Sequence, residues 1–381
     1  MHLRDVVNIG DLRQLAMRRL PKMVFDYIDG GADDEVTLAR NCAAFRAIEL
    51  VWDVLVDVSS IDLRADLLGA EVAAPFFLTP TAASRLFHPE GERACARAAA
   101  AAGLGYSIST LASVPVEEVG AAHQGPKWFQ VYVWKDRALV KDLLARARAS
   151  GFTGVALTVD LPVVGNRERD PRNKFSVPPK PSWTIAQQMA ARPGYLWDML
   201  RSPRITAANL VGTGKGFGNL HEFVASQFDR AVTWDDAAWM RETWGGPFAI
   251  KGIARAGDAA RAIDIGASHV WISNHGGRQL DTAPATIDLL PEIAALVGER
   301  AQIVLDGGVR RGSDIVKALC LGASAVAIGR AYLYGLGAAG EAGVAKAIAI
   351  LKAEMERTMA LLGARRLADL GPHYLRQRHQ L

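Results

Sequence analysis

Eight short apolar segments, each closed by polar or small residues, alternate with Ala-rich helical stretches over most of this chain. The predicted strands span residues 75–81, 105–109, 127–132, 155–160, 247–251, 269–273, 302–306 and 325–329. The predicted helices between them include residues 90–102, 138–150, 256–265 and 311–321. Eight strand–helix units in roughly 260 residues predict an α/β fold of the (β/α)8 TIM-barrel type. The alternative is a doubly wound open sheet, but no GxGxxG motif follows the first strand.

Two regions lie outside the eight units. Residues 1–70 are predicted to form an N-terminal helical segment, in which Asp11 opens one helix and Pro21 lies in the first turn of the next. The second helix is expected to end at Gly30 and Gly31 in a left-handed cap. Residues 176–230 form a long insertion after the fourth strand. Residues 1–381 are therefore interpreted as one domain that carries an insertion.

Composition limits the classes of function. Half of the 381 residues are hydrophobic, so the chain can bury a large core. A net charge of +4 without clustered basic and aromatic residues favours anionic small molecules or an acidic membrane surface over nucleic acid. Cys42, Cys95 and Cys320 have no metal-ligand spacing, which indicates a reducing compartment and predicts neither a disulfide framework nor a metal site. The charged N-terminus predicts no signal peptide, and no apolar run approaches the roughly 20 residues of a spanning helix.

Polar residues or glycines stand at the end of every predicted strand, where a TIM barrel places its active site. In chain order they include Thr81, Ser109, Gln130 with Tyr132, Thr158 with Asp160, Lys251, Ser273 with His275, Asp306, and Gly329 with Arg330. Each of them alone is commonly a capping or core group. Eight such strand ends in succession indicate a functional site.

His275 and Arg278 are separated by two glycines directly after an apolar strand. The glycines allow the backbone to approach a ligand closely and allow both side chains to enter the same space. Alone, such a motif more often marks a simple turn, and the histidine is often a hydrogen-bonded core residue. Together with the other strand ends, it predicts an imidazole and a guanidinium in one catalytic site.

The ends of the last two strands indicate the ligand. Glycine-rich turns at these places in TIM barrels commonly bind phosphate through backbone N–H groups and a helix N-terminus. The residues in these positions are Gly307, Gly308, Gly329 and Arg330, with Arg310 as a second guanidinium. Lys251 follows an apolar segment and is expected to be buried. Burial of its charge costs free energy unless the ammonium faces an anion or a reduced cofactor ring. These features predict a flat, phosphorylated cofactor.

Four motifs carry a resemblance to a known family. They are SNHGGRQLD at residues 273–281, LDGGVRRG at 305–312, TVD at 158–160 together with Arg167, and PTA at 80–82. From Leu20 to Gly363 the chain resembles the FMN-dependent L-2-hydroxy acid oxidase and dehydrogenase family, which includes glycolate oxidase, L-lactate dehydrogenase and mandelate dehydrogenase. The resemblance implies FMN as cofactor, a small 2-hydroxy acid as substrate and a 2-oxo acid as product.

The resemblance also implies roles for the substrate-site residues. His275 would take the hydroxyl proton or the α-proton of the substrate, and Asp160 would stabilise the resulting imidazolium. The groups implied to hold the substrate are Arg278, Arg167 and Tyr27 at its carboxylate and Tyr132 at its hydroxyl. Arg167 lies in a charge run that, taken alone, predicts a solvated loop.

The same resemblance implies a set of FMN contacts. The residues expected at the isoalloxazine are Thr81, Ala82, Ser109, Gln130 and Thr158, with Ser273 along the cofactor. Lys251 would stabilise negative charge at the N1/O2 edge of the ring. The residues expected at the ribityl chain and phosphate are Asp306, Gly308, Arg310, Gly329 and Arg330.

Leu111 departs from the glycolate oxidases, which usually carry Trp at this position. A smaller aliphatic wall favours L-lactate or a larger acid over glycolate as the substrate. The leading hypothesis is a dehydrogenase that passes electrons from FMN to quinone or another carrier. A soluble oxidase that uses O2 and releases H2O2 is the second, because residues 80–82 and 88–92 resemble the oxidases. A non-catalytic FMN-binding barrel is the third.

The insertion places Trp, Tyr, Leu and Met residues beside Arg192, Arg201 and Arg204. This make-up is typical of an interfacial element and resembles the segment that attaches bacterial lactate and mandelate dehydrogenases to the inner membrane. Residues 181–205 are therefore predicted to contact a membrane peripherally, and a lid on the barrel or on a neighbouring subunit is the alternative. The resemblance implies a cytoplasmic homotetramer. Under the membrane-contact hypothesis, this tetramer lies peripherally on the inner membrane.

Overall fold

The computed structural model describes residues 2–175, 182–203, 205–210 and 229–377. The strands in these residues are β1 (Ile48–Leu50), β2 (Ala65–Leu67), β3 (Ala70–Val72), β4 (Phe76–Leu78), β5 (Tyr106–Ser109), β6 (Lys127–Val131), β7 (Gly154–Thr158), β8 (Phe248–Ile253), β9 (His269–Ile272), β10 (Gln302–Asp306), β11 (Ala325–Ile328) and β12 (Leu375–Gln377). Strands β4 to β11 close in chain order into a barrel with β11 beside β4, and all neighbours in it are parallel. The predicted (β/α)8 TIM barrel is confirmed.

The helices of the described residues surround this barrel. They are α1 (Ile9–Arg19), α2 (Lys22–Asp29), α3 (Val36–Ala47), α4 (Gly91–Ala101), α5 (Val116–Ala122), α6 (Arg137–Ala149), α7 (Arg169–Arg172), α8 (Trp183–Ala190), α9 (Pro193–Leu200), α10 (Trp234–Trp244), α11 (Ala256–Asp264), α12 (Thr286–Val297), α13 (Gly312–Cys320) and α14 (Arg330–Leu362), which is kinked at Ala339 and Gly340. Because helices cover the outer face of the barrel and side chains fill its interior, the strands are buried on both faces, and most of their residues are apolar.

The register of the parallel strands aligns their C-terminal ends. Ser109 of β5 lies opposite Gln130 of β6, and Thr158 of β7 lies opposite Lys251 of β8. Polar residues that are far apart in the chain therefore meet at one end of the barrel, as TIM-barrel architecture requires.

The opposite, N-terminal end of the barrel is closed by the β2–β3 hairpin. Leu67 and Val72 of the hairpin belong to one buried cluster with Phe77, Trp128 and Trp271 from the barrel interior. The rings of Phe77 and Trp271 pack edge to face, with their centres 5.3 Å apart. Since side chains fill this end, the space for a ligand lies at the C-terminal end.

The N-terminal segment differs from the prediction in three respects. Its helices end at Ala47, and residues 48–72 contribute β1, which pairs with β12, and the β2–β3 hairpin. Asn8, and not Asp11, caps α1, because the Asn8 side chain accepts the Asp11 N–H. Gly30 ends α2 in an extended conformation with a φ of −73°, so the left-handed cap was wrong. Crowding favours glycine there, since a Cβ would lie 2.8 Å from the Asp26 carbonyl oxygen.

The described part of the insertion packs against the barrel and the N-terminal helices through one face. The Tyr195 hydroxyl of α9 donates to the Leu86 carbonyl at 2.8 Å, and the Gln188 side chain of α8 accepts the Met23 N–H at 2.9 Å. The opposite face exposes 78% of Trp183, 57% of Trp197 and 73% of Leu200. The two helices therefore combine a docked face with an exposed apolar face.

Several predicted features of the insertion lie outside the described residues. They are Arg204 and residues 176–181 and 211–228. In the part of the chain that the structure describes, no helix has both the length and the apolar character needed to cross a bilayer.

Candidate active site

A cavity of about 810 Å³ opens at the C-terminal end of the barrel. The predicted site residues that line it are Tyr27, Thr81, Ala82, Ser109, Leu111, Gln130, Tyr132, Thr158, Arg167, Lys251, His275, Arg278, Asp306, Gly308, Arg310, Gly329 and Arg330. Asp160 and Ser273 do not line the cavity. Both form hydrogen bonds with His275, which does line it. The predicted residues thus share one place in the fold, and their roles stay predictions.

His275 follows β9 with a left-handed backbone, at a φ of 55°. Its Nδ1 lies 3.0 Å from Asp160 Oδ1, and its backbone N–H donates to Ser273 Oγ at 3.1 Å. A left-handed conformation is uncommon for a residue with a Cβ, and such strained positions concentrate at functional sites. Because Nδ1 faces the carboxylate, Nε2 is the nitrogen that remains for a ligand in the cavity.

Asp160 is the buried partner of this imidazole. Burial alone would raise its pKa, but the neighbouring His275 and the Lys251 ammonium outweigh burial and hold the pKa below its ordinary value. Asp160 therefore stays anionic near neutral pH, and its Oδ2 has no hydrogen-bond partner among the described residues. An anion in this position stabilises a protonated His275.

Lys251 belongs to a polar cluster beside the cavity. Its ammonium lies 2.9 Å from the Asp306 carboxylate and donates to Ser273 Oγ at 2.7 Å. Ser273 donates to Asp306 at 2.6 Å, and the Trp271 indole donates to the other carboxylate oxygen at 3.0 Å. The Ser273 hydroxyl is therefore bonded to Lys251 and Asp306, and its position along the cofactor stays a prediction. Lys251 also has its counter-charge within the protein, so its burial alone does not require an anionic ligand.

Arg278 lies on the cavity wall against Tyr27. Its Nη1 donates to the Tyr27 and Gly30 carbonyls at 2.7 and 3.0 Å, and the guanidinium carbon is 4.9 Å from the centre of the Tyr27 ring. Burial, followed by the nearby Arg167 charge, lowers the pKa of Arg278 to about 9. The side chain remains a cation at neutral pH and makes no salt bridge within the described residues. A ligand carboxylate would supply the missing counter-charge.

The charged loop after β7 holds two arginines with different surroundings. Arg169 binds Asp29 at 3.2 Å and also pairs with Glu35, so it anchors the loop to the N-terminal segment. Arg167 lines the cavity, where its Nη2 donates to Gln279 Oε1 at 3.3 Å and its Nε has no partner among the described residues. The solvated-loop alternative therefore does not describe Arg167.

Tyr132 and Leu111 add a phenol and an aliphatic surface to the same cavity. Burial, with a further contribution from Asp160, raises the pKa of Tyr132 well above its ordinary value, so the phenol keeps its proton at neutral pH. Leu111 is fixed by backbone contacts, since its N–H donates to Ser109 Oγ at 3.1 Å and its carbonyl accepts the Ala83 N–H at 3.2 Å.

Besides Arg167 Nε, three polar side-chain atoms at the cavity have no partner within the described part of the chain: Thr79 Oγ1, Gln130 Nε2 and Thr158 Oγ1. The Ser109 hydroxyl donates to Gln130 Oε1 at 2.9 Å, which orients the amide and leaves its Nε2 available. Each buried polar atom without a partner costs about 1–3 kcal/mol, so such a wall favours a ligand that brings matching groups. The isoalloxazine of FMN, a flat ring system edged by carbonyl oxygens and ring nitrogens, meets this requirement.

The turns after β10 and β11 form another part of the cavity wall. The N-terminus of α14 follows Gly329 directly, and a helix N-terminus is a ready site for a phosphate. Arg310 also lines the cavity, and its Nη1 donates to the Val309 carbonyl at 2.7 Å. Gly308 has a φ of 86°, and a Cβ there would lie 2.1 Å from the Asn41 carbonyl oxygen, so packing on α3 by itself requires this glycine.

Arg330 makes more hydrogen bonds within the protein than the sequence indicated. Its guanidinium donates to the carbonyls of Ile28, Gly276 and Gly30 at 2.9, 2.8 and 2.7 Å. Only the remaining N–H groups are available for the predicted phosphate contact. The glycines of the HGGR motif are likewise explained by packing, because a Cβ at Gly276 would lie 2.7 Å from Arg330 Nη1 and one at Gly277 would lie 2.6 Å from the backbone of α3.

Sequence reasoning missed several residues of this wall. They include Phe87, Leu161, Val164, Phe175 and Leu333. These are apolar loop or helix residues, and no local pattern distinguishes them from core residues. Gln279 stood in a quoted motif without a role, yet its side chain contacts Arg167, the Gly165 N–H and the Asp160 carbonyl. The sequence signal that could have indicated a role for Gln279 was its position inside the SNHGGRQLD motif.

Comparisons with known proteins agree with this geometry. A family model described as FMN-dependent dehydrogenase matches residues 16–377. An L-lactate oxidase of Nostoc sp. is 43% identical over 375 residues, covering 97% of this chain and 98% of the relative. An L-lactate dehydrogenase of Caulobacter vibrioides is 43% identical over 377 residues, covering 98% of each chain. Among solved structures, the monotopic membrane protein (S)-mandelate dehydrogenase matches with a TM-score of 0.94 and 38% identity, covering 98% of this chain and 100% of the other.

These matches span nearly the whole chain and include the barrel and its cavity. They confirm the resemblance that four short motifs indicated, and with it FMN as the cofactor. The chain belongs to the FMN-dependent dehydrogenase family.

Proposed function

We propose that this enzyme oxidises L-lactate or a related, larger L-2-hydroxy acid to the 2-oxo acid with FMN held in the barrel cavity. The observation that carries the proposal is a carboxylate-paired His275 in the same cavity as Arg167 and Arg278. A base beside two cations is the combination required by a substrate whose hydroxyl group neighbours a carboxylate. Relatives named L-lactate oxidase and L-lactate dehydrogenase support the same substrate class.

His275 accepts the substrate proton, from the hydroxyl or the α-carbon, at the nitrogen that does not face Asp160. Asp160, at 3.0 Å from Nδ1, fixes the ring orientation and stabilises the imidazolium that forms. The lowered pKa of Asp160 keeps this carboxylate charged, so the imidazolium has its counter-charge as it forms. FMN, when bound, supplies the two-electron acceptor.

The substrate carboxylate binds between Arg278 and Arg167. Nη1 of Arg278 is occupied by two backbone carbonyls, so Nε and Nη2 remain for a paired contact with the carboxylate. Tyr27 lies against the same guanidinium and extends the carboxylate site. Tyr132 keeps its proton and donates it to the oxygen of the substrate hydroxyl.

FMN is held by the groups that the family resemblance implied. The residues at the ring are Thr81, Ala82, Ser109, Gln130, Thr158 and Lys251, with Ser273 along the cofactor, and those at the ribityl phosphate are Asp306, Gly308, Arg310, Gly329 and Arg330. The unpaired Gln130 Nε2 and Thr158 Oγ1 support the ring contacts. The N-terminus of α14 and Arg310 support the phosphate contacts.

Leu111 supports a substrate larger than glycolate. It lines the cavity, and so do Leu161 and Val164, so the cavity wall includes aliphatic surface. An aliphatic or aryl side chain of a hydroxy acid gains free energy by leaving water for such a surface, and glycolate has no side chain to bury.

The electrons pass to quinone or another separate carrier at a membrane surface. The exposed face formed by Trp183, Trp197 and Leu200 supports this part of the proposal, because aromatic and aliphatic side chains partition into the headgroup region. The similar (S)-mandelate dehydrogenase is described as a monotopic membrane protein. In this proposal the protein is a cytoplasmic homotetramer that lies peripherally on the inner membrane.

An O2-using oxidase is the second candidate function. Its support is the PTA motif at residues 80–82 and the 43% identity to an L-lactate oxidase. The two candidates share the reduction of FMN by substrate and differ in how the reduced flavin is reoxidised.

The test is anaerobic reduction of the FMN-loaded protein by a panel of glycolate, L-lactate, longer aliphatic hydroxy acids and mandelate. Bleaching of the flavin by L-lactate or a larger acid supports the proposal, and subsequent reoxidation in air separates oxidase from dehydrogenase. His275→Ala should keep FMN and slow the reduction by roughly 10²–10⁴-fold. The exposed His373→Ala serves as control. A flavin that no acid bleaches would leave the non-catalytic barrel as the explanation.

A further inference from the structure

Tyr332 stands behind the loop that follows β4, in the first turn of α14. Its side chain is fully buried, and its hydroxyl donates to the Thr79 carbonyl at 2.9 Å. The same hydroxyl lies 2.7 Å from Thr81 Oγ1. Thr79 and Thr81 both line the cavity, whereas Tyr332 does not. Tyr332 therefore contacts the cofactor wall from the outside.

The number of available protons fixes the direction of these hydrogen bonds. A phenol carries one proton and a carbonyl cannot donate, so Thr79 O accepts the proton of Tyr332. The 2.7 Å contact between the two hydroxyl oxygens then requires the proton of Thr81. Burial raises the pKa of Tyr332 far above its ordinary value, so the phenol keeps its proton under assay conditions. Thr81 is left with lone pairs, and without a proton, for the cavity.

Glu92 fixes the underside of the same loop. Its buried carboxylate accepts the Ser84 N–H at 2.9 Å, the Ser113 N–H at 2.9 Å and the Ser113 hydroxyl at 2.7 Å. Ser84 Oγ in turn lies 3.3 Å from Thr81 Oγ1. Because these contacts hold the backbone of the loop on both sides, Thr81 keeps one orientation. Glu92, whose motif the sequence singled out only as oxidase-like, thus belongs to the support of the cofactor wall.

Reduction of a flavin adds an N–H group to its central ring, where the oxidised form has an acceptor nitrogen. A hydrogen-bond acceptor on the cavity wall therefore stabilises the reduced form relative to the oxidised form. We propose that Tyr332 is a positioning residue that fixes Thr81 as a hydrogen-bond acceptor toward the cavity and so raises the reduction potential of the bound FMN. The inference rests on the proposed place of FMN in this cavity.

Tyr332→Phe removes the phenolic hydroxyl alone and frees the Thr81 proton to point into the cavity. We expect the midpoint potential of the FMN-loaded variant to fall by about 30 mV, which is a tenfold change in the relative affinity for reduced and oxidised flavin. Anaerobic equilibrium titration against a redox dye measures this potential. Thr81→Val should also lower the potential, and Tyr332→Phe should then add nothing in the Thr81→Val background.

Tyr195→Phe is the matched control. Tyr195 is also a buried tyrosine that donates to a backbone carbonyl, that of Leu86, at 2.8 Å, and neither residue lines the cavity. Its loss should leave the midpoint potential at the wild-type value, even if thermal stability falls as much as in Tyr332→Phe. Lys251→Met separately tests whether FMN lies in this cavity, because loss of a cation beside the ring lowers the potential.

A wild-type potential in Tyr332→Phe, or an equal fall in the Thr81→Val background, overturns the inference. If Lys251→Met still shifts the potential, the proposed place of FMN survives that result. If Lys251→Met also leaves the potential unchanged, the place of FMN fails and the inference fails with it. Should Tyr332→Phe not yield folded, FMN-loaded protein, Thr81→Val decides, since a wild-type potential in that variant refutes the role of Thr81.

Discussion

In the proposed function, Arg278 combines a structural and a recognition task in one side chain. Its Nη1 holds the Tyr27 and Gly30 carbonyls, and its other nitrogens remain for the substrate. A lysine ammonium cannot hold both carbonyls and form a paired contact with a carboxylate. We expect Arg278→Lys to lower kcat/KM on the order of a hundredfold, which corresponds to about 2.7 kcal/mol. Steady-state kinetics with the best acid of the panel measure it.

The control is Arg18→Lys, which makes the same exchange at an exposed position of α1. It should leave kcat/KM unchanged. Retention of FMN by Arg278→Lys shows that the variant is folded. An unchanged kcat/KM in Arg278→Lys would remove this residue from the substrate site.

In the proposed function, Leu111 limits the size of the substrate pocket. Its backbone is fixed on both sides, so a larger side chain at this position extends into the cavity. Leu111→Trp should therefore shift the preference toward glycolate, by tenfold or more relative to mandelate, because a few methylene-sized groups in a pocket are worth about 1–3 kcal/mol. Anaerobic competition between the two acids measures the ratio.

Leu280→Trp introduces the same bulk at a leucine that is 76% exposed and does not line the cavity. It should keep the wild-type preference. If Leu111→Trp also keeps that preference, Leu111 does not contact the substrate side chain.

Single site residues could be predicted from the sequence where they belong to a recognisable motif. The hydrogen bonds that each of them makes could not be predicted. His275 and Asp160 were paired from the resemblance, and they lie 3.0 Å apart. Ser273 and Arg330 were assigned to the cofactor, but their hydrogen bonds go largely to the protein. The hydrogen-bond partners of a side chain depend on which residues are its neighbours in three dimensions. Two partners of Arg330, the Ile28 and Gly30 carbonyls, lie in α2 and at its C-terminal end, about 300 positions away in the sequence.

At the scale of elements, Asp29 joins α1, α2 and α14. Arg13 donates two hydrogen bonds to its carboxylate at 2.6 and 2.8 Å, and the Tyr334 hydroxyl donates at 2.8 Å. Burial alone would raise the pKa of Asp29, but these donors and Arg169 lower it from 3.8 to about 2. A carboxylate with a lowered pKa stabilises the fold above its unfolded pKa, and this contribution is lost as the pH falls from about 4 to about 2.

Asp29→Asn should therefore lower the free energy of unfolding at pH 7 by about 2 kcal/mol, and the difference from wild type should shrink toward pH 2. Urea unfolding at a series of pH values measures it. Asp62→Asn is the control, because the pKa of Asp62 is also lowered to about 2, by Arg64, but its side chain is 39% exposed and solvent screens the pair. Asp62→Asn should show no measurable change. An Asp29→Asn difference that persists at pH 2 would contradict the carboxylate as its origin.

Secondary-structure elements were predicted well where burial determines the sequence pattern. They were predicted poorly where individual side-chain contacts determine how an element ends or pairs. The barrel strands are predominantly apolar because both of their faces are buried, and all eight were found. The caps of α1 and α2 depend on which neighbouring group reaches the helix end, and Asn8 and the crowding at Gly30 were missed. The β1–β12 pair joins strands from opposite ends of the chain, which no local pattern reports.

At the scale of the whole molecule, the barrel fixes where the site lies, and the insertion carries the proposed membrane contact. The count of strand–helix units predicted the closed barrel, and barrel architecture then predicted the end that carries the cavity. The insertion was predicted as either an interfacial element or a lid. Its described helices have one docked face and one exposed face, so composition alone could not separate the two interpretations.

Replacing the whole insertion is a poor test of membrane contact. Tyr195 is 2% exposed, and its hydroxyl binds the Leu86 carbonyl, so its removal would uncover buried surface and leave that carbonyl without its donor. Loss of FMN in such a deletion would then reflect damage to the barrel. Substitutions confined to the exposed face avoid this difficulty.

The exposed face of α8 and α9 can be changed by Trp183→Ser, Trp197→Ser and Leu200→Ser together. Because these side chains are 57–78% exposed, the triple variant should keep FMN, thermal stability and anaerobic reduction by substrate. It should bind anionic liposomes at least tenfold more weakly and lose turnover with a membrane quinone, since three apolar side chains no longer enter the headgroup region. Leu361→Ser, at a leucine that is 71% exposed on α14, is the control and should bind liposomes as wild type does. Wild-type liposome binding by the triple variant, in sedimentation assays at low salt, would remove this face from the membrane proposal and favour the O2-using oxidase.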